Sequence, residues 1–191
     1  MRANFWFYNH RILQCHKTLT AGGVVAYPTE AVWGLGCDPF NPNALEKVLR
    51  LKNRDPEKGL ILVAASIDQF KFLLNDVDRA LIEQLKNSWP GHNTWLVEHK
   101  HRVPELVHGR HSTVALRVST HPIIQALCTR FNAPIVSTSA NPQGMSPAKT
   151  NFMVRRYFSK QPVFFAPGVT LGLQKPSAIR DLKSGKLVRT S

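Results

Sequence analysis

The sequence predicts an α/β fold: a single domain, residues 1–191, built on a twisted, mixed, open β-sheet with flanking helices. Three observations carry this. Apolar runs of strand length alternate with segments of helical periodicity along the whole chain. The 191 residues, 43% of them hydrophobic, are enough for one full core. No repeat of roughly 20–50 residues and no linker interrupts them.

The elements follow in order. His10–Thr20 sets Ile12, Cys15, His16 and Leu19 at helical spacing, and Gly22-Gly23 stops that helix. Val24-Val25-Ala26-Tyr27 reads as a buried strand, ended by Pro28, which has no N–H for the ladder. Thr29 and Glu30 then lie on a turn, and Gly34 and Gly36 bracket Leu35 where the backbone is free and a ligand can come close. A crevice beyond the strand end and a plain tight turn both fit this stretch. Asn41-Pro42 reads as N-cap and first residue of a helix with Leu45, Val48 and Leu49 buried, and Glu46 is set to pair with Arg50. The helix runs out into a loop over residues 52–59. Residues 60–65, apolar throughout, read as a strand covered on both faces.

Residues 76–87 predict a helix capped by Asp76, with Val77, Leu81 and Leu85 on one face. Trp89-Pro90-Gly91 breaks it, residues 94–98 form a strand, and residues 99–111 a His-rich loop. A strand over 114–118 precedes a helix over 121–131 with Ile124, Leu127 and Phe131 inward. Residues 134–137 read as a strand emptying into Thr138-Ser139-Ala140-Asn141-Pro142. Residues 152–158 read as a short helix, and 163–166, 178–180 and 186–189 as late strands.

Composition narrows the function. Lys and Arg total 25 against 12 Asp and Glu, a formal net charge of +13, which attracts polyanions such as nucleotide triphosphates, RNA or DNA. The longest unbroken apolar run, residues 60–65, is far too short to span a bilayer, so no membrane association is expected. The aromatic N-terminus, Phe5-Trp6-Phe7-Tyr8, lacks the apolar stretch and cleavage site of a secretory signal. Three scattered cysteines fit a reducing cytoplasm rather than a disulfide framework.

Several side-chain groups can carry chemistry. Lys52, Arg54 and Lys58 bring three cations into one loop that can fold around a triphosphate, or can simply be a solvated helix end. Ser137-Thr138-Ser139-Ala140-Asn141 offers hydroxyls and an amide at a strand end, for a ligand or for its own turn. No G-x-S-x-G elbow marks a nucleophilic serine. Arg117, inside an apolar strand, needs a partner: Glu30, Asp38, or an anion in the crevice. His92, His99, His101, His108 and His111 show no H-E-x-x-H spacing, so no metal ligands are expected. There is no P-loop, no dinucleotide fingerprint and no RNA-binding signature, so a nucleotide must be held in another way.

Six stretches in order carry a resemblance. They are Tyr27-Pro-Thr-Glu-Ala-Val-Trp-Gly-Leu-Gly36, Leu51-Lys-Asn-Arg54 with Lys58-Gly-Leu60, Trp89-Pro-Gly91 with Thr94, Val114-Ala-Leu-Arg-Val118, Ser137-Thr-Ser-Ala-Asn141 and Pro176-Ser-Ala-Ile-Arg-Asp181. Together they resemble the YrdC/TsaC family of threonylcarbamoyl-AMP synthases, in its short bacterial form with the synthase domain alone. The resemblance implies a twisted sheet with a basic concave cleft. It also implies condensation of L-threonine, bicarbonate or CO2, and ATP to threonylcarbamoyl-AMP and pyrophosphate. Partner proteins would then transfer the threonylcarbamoyl group to tRNA beside the anticodon.

Site roles follow from the same resemblance. Lys52 and Arg54 are the expected catalytic pair. ATP is expected at Lys52, Arg54, Lys58, Thr113, Asn141, Ser146 and Arg189. Threonine is expected at Thr29, Arg117 and Ser139. ATP enters as substrate, with Mg²⁺ held mainly by its phosphates. The chain departs from the family's usual Pro-Gly-Pro-x-Thr at Pro90-Gly91-His92-Asn93-Thr94, which implies a looser turn and brings His92 within reach of the cleft. Its strand over 60–65 is wholly apolar where many longer relatives carry a histidine. The competing expectation is an RNA-binding or ribosome-maturation factor using the same basic cleft, with tRNA or another RNA as its partner.

Overall fold

The computed structural model describes residues 3–190. Its strands are β1 (Val24–Pro28), β2 (Trp33–Gly36), β3 (Ile61–Ala64), β4 (Asn93–Glu98), β5 (Thr113–Val118), β6 (Ile135–Ser139), β7 (Val163–Phe165), β8 (Ala178–Asp181) and β9 (Leu187–Arg189). They form one nine-stranded sheet in the order β7-β1-β2-β6-β3-β5-β4-β8-β9. The pairs β1/β7, β3/β5 and β4/β8 are parallel and the other pairs antiparallel. Strand β6 joins two ladders: residues 135–137 pair with β3, and residues 138–139 pair with β2.

Both faces of the sheet are covered. Helices α1 (Ala3–Phe7), α2 (His10–Thr20) and α7 (Pro122–Phe131) lie on one side. Helices α3 (Pro42–Lys52), α4 (Lys71–Leu74), α5 (Arg79–Ser88), α6 (Glu105–His108) and α8 (Asn151–Phe158) cover the other. Side chains alternate across the strands accordingly. Val25, Tyr27 and Val63 join one core with Ile12, Leu19 and Ile123, while Val24, Ala26 and Leu62 join the other with Leu45, Val48 and Phe158. This is why the strand sequences read as unbroken apolar runs.

Most elements fall where the sequence puts them, and the differences have local causes. Helix α3 starts as expected: Asn41 Oδ1 accepts from Ala44 N at 3.1 Å, and Pro42 opens the first turn. It ends at Asn53, in the left-handed region at φ 48°. No Glu46–Arg50 ion pair forms among the described residues. Helix α5 begins at Arg79 rather than at residue 76. Asp76 is not its cap; it pairs with Arg102 and, at 3.6 Å, with Lys100. The expected His-rich loop contains α6, and α1 and α4 are further short helices that periodicity over so few residues cannot announce.

Two corrections bear on the site. Residues 33–36 are a strand, not a loop: β2 pairs back on β1 from Pro28↔Trp33 to Val25↔Gly36. All four residues are buried; Trp33 and Leu35 send their side chains into one core, and the glycines between them disguise the strand. Gly36 is there for close approach, since a Cβ would lie 2.3 Å from Val136 O and 2.7 Å from the Tyr27 ring. Likewise Thr138 and Ser139 stay within β6 instead of leaving it, because β2 gives them ladder partners in Leu35 and Gly34.

Candidate active site

A cleft of about 600 Å³ lies over the sheet, lined by residues of β2, β3, β4, β5, β6, β8 and β9 and by Thr29 just beyond β1. Its walls carry Arg54, Lys58, Arg117 and Arg189, together with His92, His108 and His111, and no Asp or Glu lines it among the described residues. Thr29, Thr113, Ser139 and Ser177 add hydroxyls. No group of three or more His, Cys, Asp or Glu converges to hold a metal ion among the described residues.

Strand β5 delivers Arg117 to this cleft from between the buried Leu116 and Val118. Its guanidinium donates through Nε to Gly91 O at 3.2 Å and through Nη2 to His92 Nδ1 at 3.1 Å. The same Nη2 lies 2.5 Å from Glu30 Oε2, in an ion pair whose side chains are 10% and 3% exposed. Glu30 Oε1 accepts from Ser119 Oγ at 2.7 Å and from Thr120 N at 3.2 Å. Burial pushes the Glu30 carboxyl up, but the Arg117 charge and these hydrogen bonds outweigh it and hold the group below the ordinary carboxylate value. Of the partners open to Arg117 on sequence grounds, Glu30 takes the ion pair, and Arg117 still borders the cleft. Asp38 instead accepts from Phe40 N. Thr29, beside Glu30, lines the cleft while its hydroxyl donates to Val32 O at 2.7 Å.

At the C-terminal end of α3, Lys52 is buried, 5% exposed. Its ammonium donates to Ser139 O, to Asn141 O at 2.8 Å and to Asn141 Oδ1 at 3.3 Å. The Lys52 carbonyl accepts from Gln143 N at 2.8 Å, so one residue clamps the 139–143 turn twice. Burial, with the nearby Arg54 charge, brings the Lys52 ammonium down to about 8. Ser139 faces the cleft, whereas Lys52, Asn141 and Ser146 stand behind its wall; the residue next to Ser146, Pro147, lines it. The Asn141 amide donates to Met145 O at 2.6 Å, which closes the turn.

Arg54 follows the left-handed Asn53 and donates to Gly59 O through Nη2 at 2.8 Å and Nε at 3.3 Å. The loop that carries Lys58 is stapled to α6 by Leu60 N to Val107 O at 2.8 Å and Arg110 N to Glu57 O at 3.2 Å. Gly109, at φ +62°, permits this approach, since a Cβ there would lie 2.3 Å from Glu57 O. Arg189 reaches in from β9 and donates to Ser177 O at 3.1 Å. Burial lowers both Arg54 and Arg189; Asp55 offsets this at Arg54, and the Arg189 charge adds to it. Arg54, Lys58, Thr113, Arg189, Thr29, Arg117 and Ser139 thus border one cleft.

Sequence reasoning assigned no role to Ser177, His108 or His111. Ser177 is buried, shares a 2.7 Å hydrogen bond with Thr94 Oγ1, and lines the cleft. Its place in the motif Pro176-Ser-Ala is the signal that could have found it. His108 stacks on His99 with ring centroids 3.9 Å apart, which no spacing in a loop reveals.

Comparison with known proteins adds to this geometry. The threonylcarbamoyl-AMP synthase of Saccharophagus degradans is 57% identical over 186 residues, 97% of each chain. That of Stutzerimonas stutzeri is 49% identical over 179 residues, 94% of this chain and 96% of the other. The crystal structure of P. abyssi Sua5 complexed with L-threonine superposes with a TM-score of 0.85 at 28% identity; 93% of this chain matches 53% of that one. The chain therefore spans about half the length of that Sua5 protein. The family model Sua5_yciO_yrdC, described as "Telomere recombination", matches residues 17–191. With the fold, the cleft and these matches in agreement, the chain belongs to the Sua5/YciO/YrdC family.

Proposed function

We propose that this chain is an L-threonylcarbamoyladenylate synthase, a nucleotidyltransferase whose site lies within a single domain, residues 1–191. The observation that carries this is one cleft bordered both by an arginine among hydroxyls, Arg117 with Thr29 and Ser139, and by the cations Arg54, Lys58 and Arg189. The first group suits a hydroxy amino acid with its carboxylate, and the second a triphosphate. The relatives named threonylcarbamoyl-AMP synthase and the threonine-bound Sua5 support the same assignment.

The threonine amine adds to CO2 with loss of one amine proton, or condenses with bicarbonate with loss of water, to give N-carboxythreonine. The new carboxylate oxygen attacks the α-phosphorus of ATP, the bond to the β-phosphate oxygen breaks, and pyrophosphate leaves. No side chain needs to become covalently attached. Arg117 holds the threonine carboxylate, and Thr29 and Ser139 its polar groups. Arg54 and Lys58 offset the charge that grows on pyrophosphate, and Lys52 adds its charge from beneath the Ser139 turn while fixing that turn. Thr113 and Arg189 complete the nucleotide subsite from the cleft wall, and Asn141 and Ser146 support it from the turn after β6. Positioning of this kind supplies up to roughly 7–11 kcal/mol in well-oriented systems.

Mg²⁺ would neutralise phosphate charge. The cleft walls offer hydroxyls but no carboxylate among the described residues, which suits an ion held by phosphates and water and not by a protein cage. The product would pass in the cytoplasm to proteins that transfer the threonylcarbamoyl group to tRNA. No helix among the described residues is long and apolar enough to cross a membrane. Mass spectrometry of the product from ATP, L-threonine and bicarbonate tests the assignment: threonylcarbamoyl-AMP and pyrophosphate, each requiring all three substrates, are expected. The net charge of +13 also suits an RNA-binding factor. Salt-sensitive RNA binding with no ATP turnover would favour that reading instead.

A further inference from the structure

His92 stands in the turn between α5 and β4 and touches Arg117 in the cleft wall and Lys175, which adjoins the lining residue Pro176. Its Nδ1 lies 3.1 Å from Arg117 Nη2, and its Nε2 lies 2.9 Å from Lys175 O. A guanidinium only donates and a carbonyl only accepts. One tautomer satisfies both contacts: a lone pair on Nδ1 and the proton on Nε2. The contacts close a circuit. Lys175 ends a segment in which Leu173 N donates to Glu30 O at 3.0 Å, and the Glu30 carboxylate meets Arg117 again. Within this circuit Arg117 commits Nε to Gly91 O, and Nη2 to His92 and Glu30. That leaves Nη1 without a protein acceptor among the described residues, at a guanidinium bordering the cleft.

We propose that His92 is a positioning residue for Arg117. It holds Nη2 so that Nη1 is presented to an incoming carboxylate, and it ties that arginine to the 173–175 segment at the cleft edge. This rests on the assignment of Arg117 to the threonine carboxylate, and it concerns affinity for the amino acid and not for ATP.

Steady-state kinetics on four variants of the full chain tests it. His92→Asn keeps an acceptor near the Nδ1 position and loses the reach to Lys175. His92→Gln keeps a donor near the Nε2 position and loses the acceptor for Arg117. His92→Ala loses both, and Arg117→Lys probes the arginine itself. His92→Ala is expected to raise the KM for L-threonine about tenfold, the scale of one charge-assisted hydrogen bond, with kcat and the KM for ATP within about twofold of the parent. His92→Asn is expected to restore most of that KM, and His92→Gln little of it. An unchanged threonine KM in His92→Ala, or equal rises in the Asn, Gln and Ala variants, overturns the proposal while leaving the Arg117 assignment intact if Arg117→Lys raises that KM. An unchanged threonine KM in Arg117→Lys overturns both. Circular dichroism melting of each variant accompanies the kinetics, and the Asn and Gln pair keeps the test decisive should His92→Ala fold poorly.

Discussion

Lys52 and Asn141 are joined twice, the ammonium donating to the asparagine main-chain oxygen at 2.8 Å and to its side-chain oxygen at 3.3 Å. The end of α3 is thereby fastened to the turn that follows β6.

Because this ammonium is buried, activity and stability are expected to move in opposite directions at alkaline pH. Burial places Lys52 at about 8, below its ordinary 10.5. Between those values the unfolded chain binds more protons than the native one, so this residue's contribution to stability rises with pH across that window and is lost as pH falls through about 8. The catalytic role proposed for the ammonium predicts that activity falls across the same window. Pyrophosphate release and urea unfolding measured side by side against pH check this. Lys52→Met should abolish the Lys52-dependent part of both trends and cost at least about tenfold in kcat/KM, on the order of 1.4 kcal/mol.

Removing one member of the buried Glu30–Arg117 pair leaves the other charge stranded. Glu30→Gln is expected to cost about 3–5 kcal/mol in denaturant unfolding. In the parent protein, the Glu30 carboxyl lies below its ordinary value of 4.5. Its contribution is thus fully present above about 4.5 and lost as pH falls through the lower native value. Glu30→Gln should flatten that part of the acid limb, and an unchanged limb would assign acid sensitivity to other groups.

Gly36 has no room for a methyl group between Val136 O and the Tyr27 ring. Gly36→Ala should lower stability by roughly 1–3 kcal/mol, the range of overpacking. Thermal melting reads this directly. A control at Gly144 is less clean, since it combines open space with φ +80°.

Arg54→Ala and Lys58→Ala are expected to raise the KM for ATP by at least about tenfold each, with the KM for L-threonine little changed. If Arg54→Ala leaves ATP kinetics as they are, the triphosphate does not lie along this loop.

Much of the fold is legible in the sequence because the sheet is covered on both faces. A strand such as 60–65 then needs no polar member, and helices such as α3 carry a cap, an initial proline and an apolar stripe together. What is hidden is what depends on a distant partner. Residues 33–36 read as a glycine-bracketed loop until β1 and β6 flank them. The cations of the 52–58 loop and Arg117 are visible as residue types, and so is the pairing of Arg117 with one of two nearby acids. That Lys52 turns its ammonium onto three oxygens, and that His92 bridges Arg117 and Lys175, depends on contacts between residues 25 to 89 positions apart, which local pattern does not encode.

Strand β6 serves one ladder with residues 135–137 and another with residues 138–139, so the nine-stranded sheet has a seam running along a single strand. Thr29 and Glu30 hang from the β1–β2 side of that seam, and Arg117 from the β3–β5 side. Their ion pair is then a fastener between the two halves of the sheet. The contact that ties the two halves together therefore also bears on an arginine that borders the cleft.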